Sequence, residues 1–193
     1  MSKPLIAYNY LMYPVVQSPD EILRTPATQV DTNMPGLQKI IEEMRITLIL
    51  QKKPEGVGLA ANQVGLPYKI FLARFTTARK EPIRVFINPE TIEHSKEMQE
   101  ETKKTPLEGC LSLPKYYGLV RRYKWVKVKY FRHDTFEEIT ETFEDFPAIV
   151  IRHEMDHLNG KIFVERILEQ KGRIYKVIGI DKQGKDEWEE VVL

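Results

Sequence analysis

The sequence predicts an α+β fold: antiparallel β-sheets packed around a central helix, with a second amphipathic helix near the N-terminus. Three observations predict it. Only two stretches carry helical periodicity, several carry the β-branched and aromatic content of strands, and the two kinds do not alternate as βαβ units would. A chain of 193 residues with 42% hydrophobic and 30% charged content suits one domain with its own core. The expected domain spans 1–193, with 1–14 as an N-terminal extension and 172–193 as a C-terminal β-hairpin.

The elements follow in order. "SPDEILRTPATQVD" is punctuated by proline and has room for a short helical turn only. "NMPGLQKIIEEMRITLILQKK" is the amphipathic helix: Leu37, Ile40, Ile41, Met44 and Leu48 recur at helical spacing, with Asn33 as the expected cap and Pro35 in the first turn. "PEGVGLAANQVGLP" breaks that period and reads as a loop or irregular strand. "YKIFLARF", "IRVFINPETIEH", "KWVKVKYF" and "EEITETFEDF" read as strands. The central helix runs from about Pro147 to Leu158 and stops at Asn159–Gly160. "RIYKVIGIDKQGKDEWEEVV" closes the chain as a hairpin turning at "DKQGK".

Composition excludes some partners. Net charge is +1, and the densest basic segment, "RRYKWVKVKYFR", alternates like a strand with a lysine-rich exposed face, so direct nucleic-acid binding is not expected. No apolar run is long enough to span a membrane, and the N-terminus lacks the pattern of a signal peptide. A single cysteine, Cys110, excludes an internal disulfide and suits a reducing compartment. A cytoplasmic location is the expectation, with an organelle open if a targeting segment was removed.

The central helix carries "RHEMDHLNG". His153 and His157 are four residues apart, so their rings leave one face a turn apart, and Ile149 makes the approach to that face apolar. This H-E-x-x-H spacing lets two imidazoles reach one metal ion while Glu154 stands by as general base. A single buried histidine is more often a hydrogen-bonded core residue, but unpaired polar groups on an apolar face would be costly, which favours the metal. Asp156 reads as an acceptor for a ligand's neighbour or as a surface residue. A catalytic site of this kind takes a third protein ligand. No histidine follows His157, Glu165 and Glu169 have no distinguishing context, and His94 and His133 sit in charged sequence that reads as exposed. Cys110 in "LEGCLSLP" remains, although alone it reads as a buried structural thiol.

"GVGLAA" fits a dinucleotide fingerprint, but it follows a helix instead of a strand, so that reading is weak. Gly56 and Gly58 instead suggest room for another chain's backbone, with Gln63 offering an amide.

"GVGLAANQ", "EGCLSLP" and "RHEMDHLNG", in that order, resemble the peptide deformylase family, and the resemblance runs from about "SPDEILR" to "GKIFVERI". It implies that Cys110, His153 and His157 hold one divalent metal ion per chain, Fe²⁺ in the cell, with Zn²⁺, Ni²⁺ or Co²⁺ as working substitutes. It implies removal of the N-formyl group from the formyl-methionine of newly made polypeptides, with release of formate. Glu154 would act as base, and the Gln63 amide and Leu111 N–H would stabilise the oxyanion. Gly56, Val57 and Gly58 would pair with the substrate backbone as an added strand, Glu108 would contact substrate, and Ile149 and Val150 would line the methionine pocket.

The chain departs from the family pattern at Arg152, usually glutamine, and at Tyr117, often arginine near the substrate entrance. The "YNYLMYP" extension and the terminal hairpin are also unusual; where relatives carry a C-terminal helix it can dock on the ribosome, so a transient ribosome contact stays open. The rivals are an H-E-x-x-H metallopeptidase cleaving internal bonds, which needs a ligand after the helix, and a non-catalytic module that holds peptide termini.

Overall fold

A computed structural model describes residues 12–52, 55–76, 82–100, 102 and 105–192. Most of the N-terminal extension, residues 1–11, lies outside the described residues. Two antiparallel sheets organise the chain. The first comprises β1 (Gly58–Ala60), β2 (Ile70–Ala73), β3 (Arg84–His94), β6 (Trp125–Phe131) and β7 (Glu138–Glu144), in that spatial order. The second comprises β4 (Glu108–Cys110), β5 (Leu113–Gly118), β8 (Ile174–Ile180) and β9 (Asp186–Glu190).

The larger sheet separates two helices because its side chains alternate. Phe71 and Phe86 project to one face and stack with centroids 4.4 Å apart. There they meet Tyr130, Phe143 and the residues Ala148, Ile151, Met155 and Leu158 of α2 (Asp145–Leu158). Their neighbours Ile70, Leu72, Val85 and Ile87 project to the other face and meet Leu37, Ile41, Met44 and Leu48 of α1 (Leu37–Leu50). Each of those α1 side chains is buried, which contributes about 1.5–3 kcal/mol apiece. In β6 the expected alternation holds: Val126, Val128 and Tyr130 are buried while Lys127 and Lys129 are not.

Three expectations need correction. Asn33 does not cap α1; its side chain turns to Asp31 Oδ1, 3.3 Å away, and the helix starts from Gly36 at φ 85°, a conformation glycine adopts freely. A third helix, α3 (Phe163–Glu169), follows α2, with the Glu165 carboxylate accepting from the Ile162 N–H at 2.8 Å. His133 is half-buried beside Arg45, not exposed.

α2 begins at Asp145, two residues before the expected Pro147, and ends where expected. Gly160 takes φ 70°, and a Cβ there would lie 2.4 Å from the Arg24 carbonyl oxygen. The terminal hairpin turns at Asp181–Lys185, where the Asp181 carboxylate accepts from the Gln183 and Lys185 N–H groups. Residues Val16 and Ser18 run between the sheets: Val16 N–H donates to the Gln63 carbonyl at 2.8 Å and Ser18 N–H to the Ser112 carbonyl at 2.9 Å.

Candidate metal centre

The three elements that meet in the middle of the fold each supply part of one site. β4 brings Cys110, α2 brings His153, Glu154 and His157, and the 3-10 turn after β1 brings Gln63. The ligand atoms of Cys110, His153 and His157 all lie within 4.8 Å of one another. The Cys110 sulfur is 3.1 Å from His157 Nε2, and the two imidazoles meet edge to face with centroids 5.0 Å apart. No other group of three or more such ligands is found among the described residues.

The environment stabilises a thiolate. Burial alone would push the Cys110 thiol up, but the charge of His157 and hydrogen bonds from both histidines hold it well below the usual thiol range. Gln63 Nε2 at 3.3 Å and the Ser112 N–H at 3.4 Å also donate to the sulfur. Gln63 is held in that orientation because its Oε1 accepts from the Ala60 N–H at 2.8 Å.

The donor set fits a divalent metal ion. A thiolate and two imidazoles suit several first-row ions. His157 Nδ1 and Glu154 Oε2 are buried polar atoms with no hydrogen-bond partner among the described residues, which is costly unless a ligand or solvent takes them up. His153 is oriented by its other nitrogen, Nδ1, which lies 2.9 Å from Glu108 Oε2.

Glu154 is 3% exposed, and burial raises its carboxyl to about 7 against the pull of His153 and His157. That lets it both accept and return a proton near neutral pH. Space for this carboxylate comes from Gly58: a Cβ there would lie 2.1 Å from Glu154 Oε1. The side-chain space left at residue 58 is thus filled from within, and Gly56 likewise makes way for Leu48. The Gly56 carbonyl accepts from Arg74 Nε at 2.8 Å.

A cleft of about 210 Å³ opens beside these groups. Val57, Gly58, Gln63, Leu111, Ile149 and Val150 are among the residues that line it. Glu108 borders the cleft, but both of its carboxylate oxygens are taken, by Arg122 Nε at 2.7 Å, Arg122 Nη2 at 2.8 Å and His153. Its side chain is therefore engaged with Arg122 and His153, while the residue itself lines the cleft where a substrate contact is expected from sequence.

Two residues escaped the sequence reading. Arg122 is 4% exposed and joins Glu108 to Asp156, whose Oδ2 is 2.5 Å from Arg122 Nη1; Asp156 also pairs with Arg166 at 2.6 Å. Asn62 donates to the His157 carbonyl at 2.5 Å and fixes the end of α2. Asn62 stands in the quoted glycine motif, whereas nothing local marks Arg122, since its partners are 14 and 34 residues away. Of the departures, Arg152 lies over the Tyr123 ring at 5.6 Å and is not among the cleft residues, while Tyr117 lines the cleft itself.

Comparison with known proteins agrees with this architecture. The polypeptide deformylase family profile matches residues 12–173. The peptide deformylase of Tolumonas auensis is 41% identical over 152 residues, which is 78% of this chain and 84% of that protein. A ligand-bound crystal structure of the class I type b peptide deformylase from Acinetobacter baumannii superposes with a TM-score of 0.72 at 36% identity, over 81% of this chain and 99% of that one. The same enzyme with Met-Ala-Ser bound gives a TM-score of 0.70 at 35% identity, over 82% of this chain and 99% of that one.

Proposed function

The chain belongs to the polypeptide deformylase family, and from that premise we propose that Cys110, His153 and His157 hold its metal ion while Glu154 moves the proton. The enzyme is a metallohydrolase that removes the N-formyl group of nascent formyl-methionyl peptides. The observation that carries the residue assignment is the triangle of sulfur and two imidazoles set beside the buried Glu154 carboxylate, whose Oε2 has no hydrogen-bond partner among the described residues. The comparisons lend no support to an internal peptidase or a non-catalytic module.

When bound, the ion supplies Lewis-acid activation of water and of the formyl oxygen. Glu154 takes the proton from the attacking water and delivers it to the departing amine nitrogen as the C–N bond breaks, giving formate and a free amino terminus. Gln63 Nε2 and the Leu111 N–H donate to the oxygen that gains charge during attack. β1 is an edge strand, so Val57 and Gly58 present backbone to an extended substrate, and Ile149 and Val150 receive the methionine side chain. The product-like Met-Ala-Ser seen in the Acinetobacter enzyme is the kind of peptide this cleft would release.

The ion in the cell is Fe²⁺ in this reading, with Zn²⁺, Ni²⁺ or Co²⁺ as substitutes, since one thiolate and two imidazoles accept all four. The chain acts as one catalytic domain in the cytoplasm, where its substrate is made, in transient contact with the ribosome. None of its described helices is long and apolar enough to cross a membrane. The test is formate release from formyl-Met-Ala-Ser by protein purified without oxygen, with metal measured on the same sample. Release proportional to one bound metal per chain is expected. Full metal occupancy with no formate would overturn the reading.

A further inference from the structure

The matched family region ends at residue 173, and the hairpin formed by β8 and β9 lies beyond it, yet its Trp188 meets Tyr117 of the cleft lining. Tyr117 lines the cleft and pairs across the sheet with Tyr175; Val177, two residues further along β8, pairs with Trp188. Directly paired residues share a face, as do residues two apart on a strand, so these four side chains share one face, edged by Asp186 and by Glu190, which pairs with Tyr175. The Tyr117 and Trp188 rings meet edge to face with centroids 5.0 Å apart. Tyr117 is also pinned from behind, since a Cβ on Gly109 would lie 2.6 Å from its ring. Trp188 is nonetheless 45% exposed, and Leu107 at the cleft rim is 42% exposed. An apolar strip thus continues the cleft onto the hairpin and stays open to solvent.

We propose that this strip is a subsite for an apolar or aromatic side chain one or two residues beyond the methionine, with Tyr117 as its floor and Trp188 as its far wall. It rests on the deformylase reading. Cys110 is the residue next to Gly109, and Tyr117 lies one strand across from Gly109. An extended peptide advances about 3.3 Å per residue, so a chain whose formyl group meets the metal ligands reaches Tyr117 within its first few residues. Aromatic rings favour aromatic partners by about 0.5–1.5 kcal/mol beyond simple burial. The neighbouring charge selects against acids: Asp186 and Glu190 flank Trp188 on the same face of β9, and burial together with the Asp186 charge pushes the Tyr117 hydroxyl up. Trp188 is a positioning residue for Tyr117 and a wall of the subsite, remote from the reacting atoms.

The experiment compares kcat/KM for formate release from formyl-Met-Xaa-Ala and formyl-Met-Ala-Xaa, with Phe, Ala or Asp as Xaa. At one of the two positions the enzyme is expected to prefer Phe to Ala by about two- to tenfold, with Asp the poorest, and the difference is expected in KM. In Trp188→Ala that ratio is expected to fall toward unity, and Trp188→Phe is expected to restore it. A wild-type ratio near unity at both positions overturns the proposal even if the alanine variant does not fold. An unchanged ratio in folded Trp188→Ala overturns it equally. Absence of formate from every peptide would instead strike the deformylase reading.

Discussion

Gly58 and Glu154 compete for one small volume: a single added methyl group at residue 58 would lie 2.1 Å from the Glu154 Oε1 atom. Strand β1 and helix α2 can approach this closely only because residue 58 has no side chain. Gly58→Ala is therefore expected to displace the carboxylate without touching a ligand. Formate release should fall on the order of a hundredfold, the cost of an ångström-scale misplacement of a reacting group. Metal content measured on the same protein should not change. A variant with a normal rate would show that Glu154 tolerates displacement.

Glu154→Gln removes the proton carrier and leaves the three ligand side chains intact. Turnover is expected to drop about 10²- to 10⁴-fold, the usual contribution of a general base, with one metal still bound per chain. A near-normal rate would remove Glu154 from its assigned role.

Cys110→Ser exchanges a sulfur stabilised as thiolate by His157, Gln63 and the Ser112 N–H for a hydroxyl. Metal retention after dialysis is expected to fall well below one per chain, read by elemental analysis and not by activity. Unchanged retention would place the third ligand elsewhere.

Arg122 neutralises two buried carboxylates at once, so removing it leaves both without their shared cation. Arg122→Gln is expected to destabilise the fold by about 3–5 kcal/mol in denaturant titration. It should also loosen His153, which depends on Glu108 for its orientation, and so weaken metal retention. Loss of stability below about 1 kcal/mol would mean that Arg166 and solvent suffice.

The same network sets an acid limit. Burial acts to raise Glu108 and Asp156, but the paired cations overcome it, Arg122 and His153 at Glu108 and Arg166 and Arg122 at Asp156. Both are held at about 2 in the fold, against ordinary values of 4.5 and 3.8. In the unfolded chain they take up protons first as pH falls. Their contribution is therefore complete above about pH 4.5 and drains away as pH approaches 2, by on the order of 3 kcal/mol for each group. Circular dichroism of the metal-free protein should report acid unfolding within that window. Stability independent of pH between 5 and 2 would contradict it.

Much of this was legible in the sequence where the signal is local. The H-E-x-x-H spacing on an apolar approach marks α2 and two histidines that meet Cys110, and alternation marks β6 with its buried Val126, Val128 and Tyr130. What was missed depends on distant partners or short segments. α3 has only seven residues, too few to establish a period. β4 and β5 contain glycine and proline and become strands through pairing with each other and with β8. Arg122 lies in a run that reads as a solvated basic face, and only the return of α2 makes it a buried cation. The start of α1 was misread because Gly36 in a left-handed conformation supplied the turn, leaving Asn33 to bond locally.

The brace from Val16 and Ser18 to Gln63 and Ser112 bears on the order in which the enzyme comes into being. Gln17 Nε2 reaches the Leu111 carbonyl across 94 residues, and Cys110 meets His157 across 47. Contacts so far apart along the chain close late, after local structure has formed. During translation, the early residues that brace Gln63, Leu111 and Ser112 must wait for strand β4, and both must wait for α2. The site therefore cannot close before α2, and a ribosome-bound copy of this enzyme would be inert until that helix, ending at Leu158, had emerged.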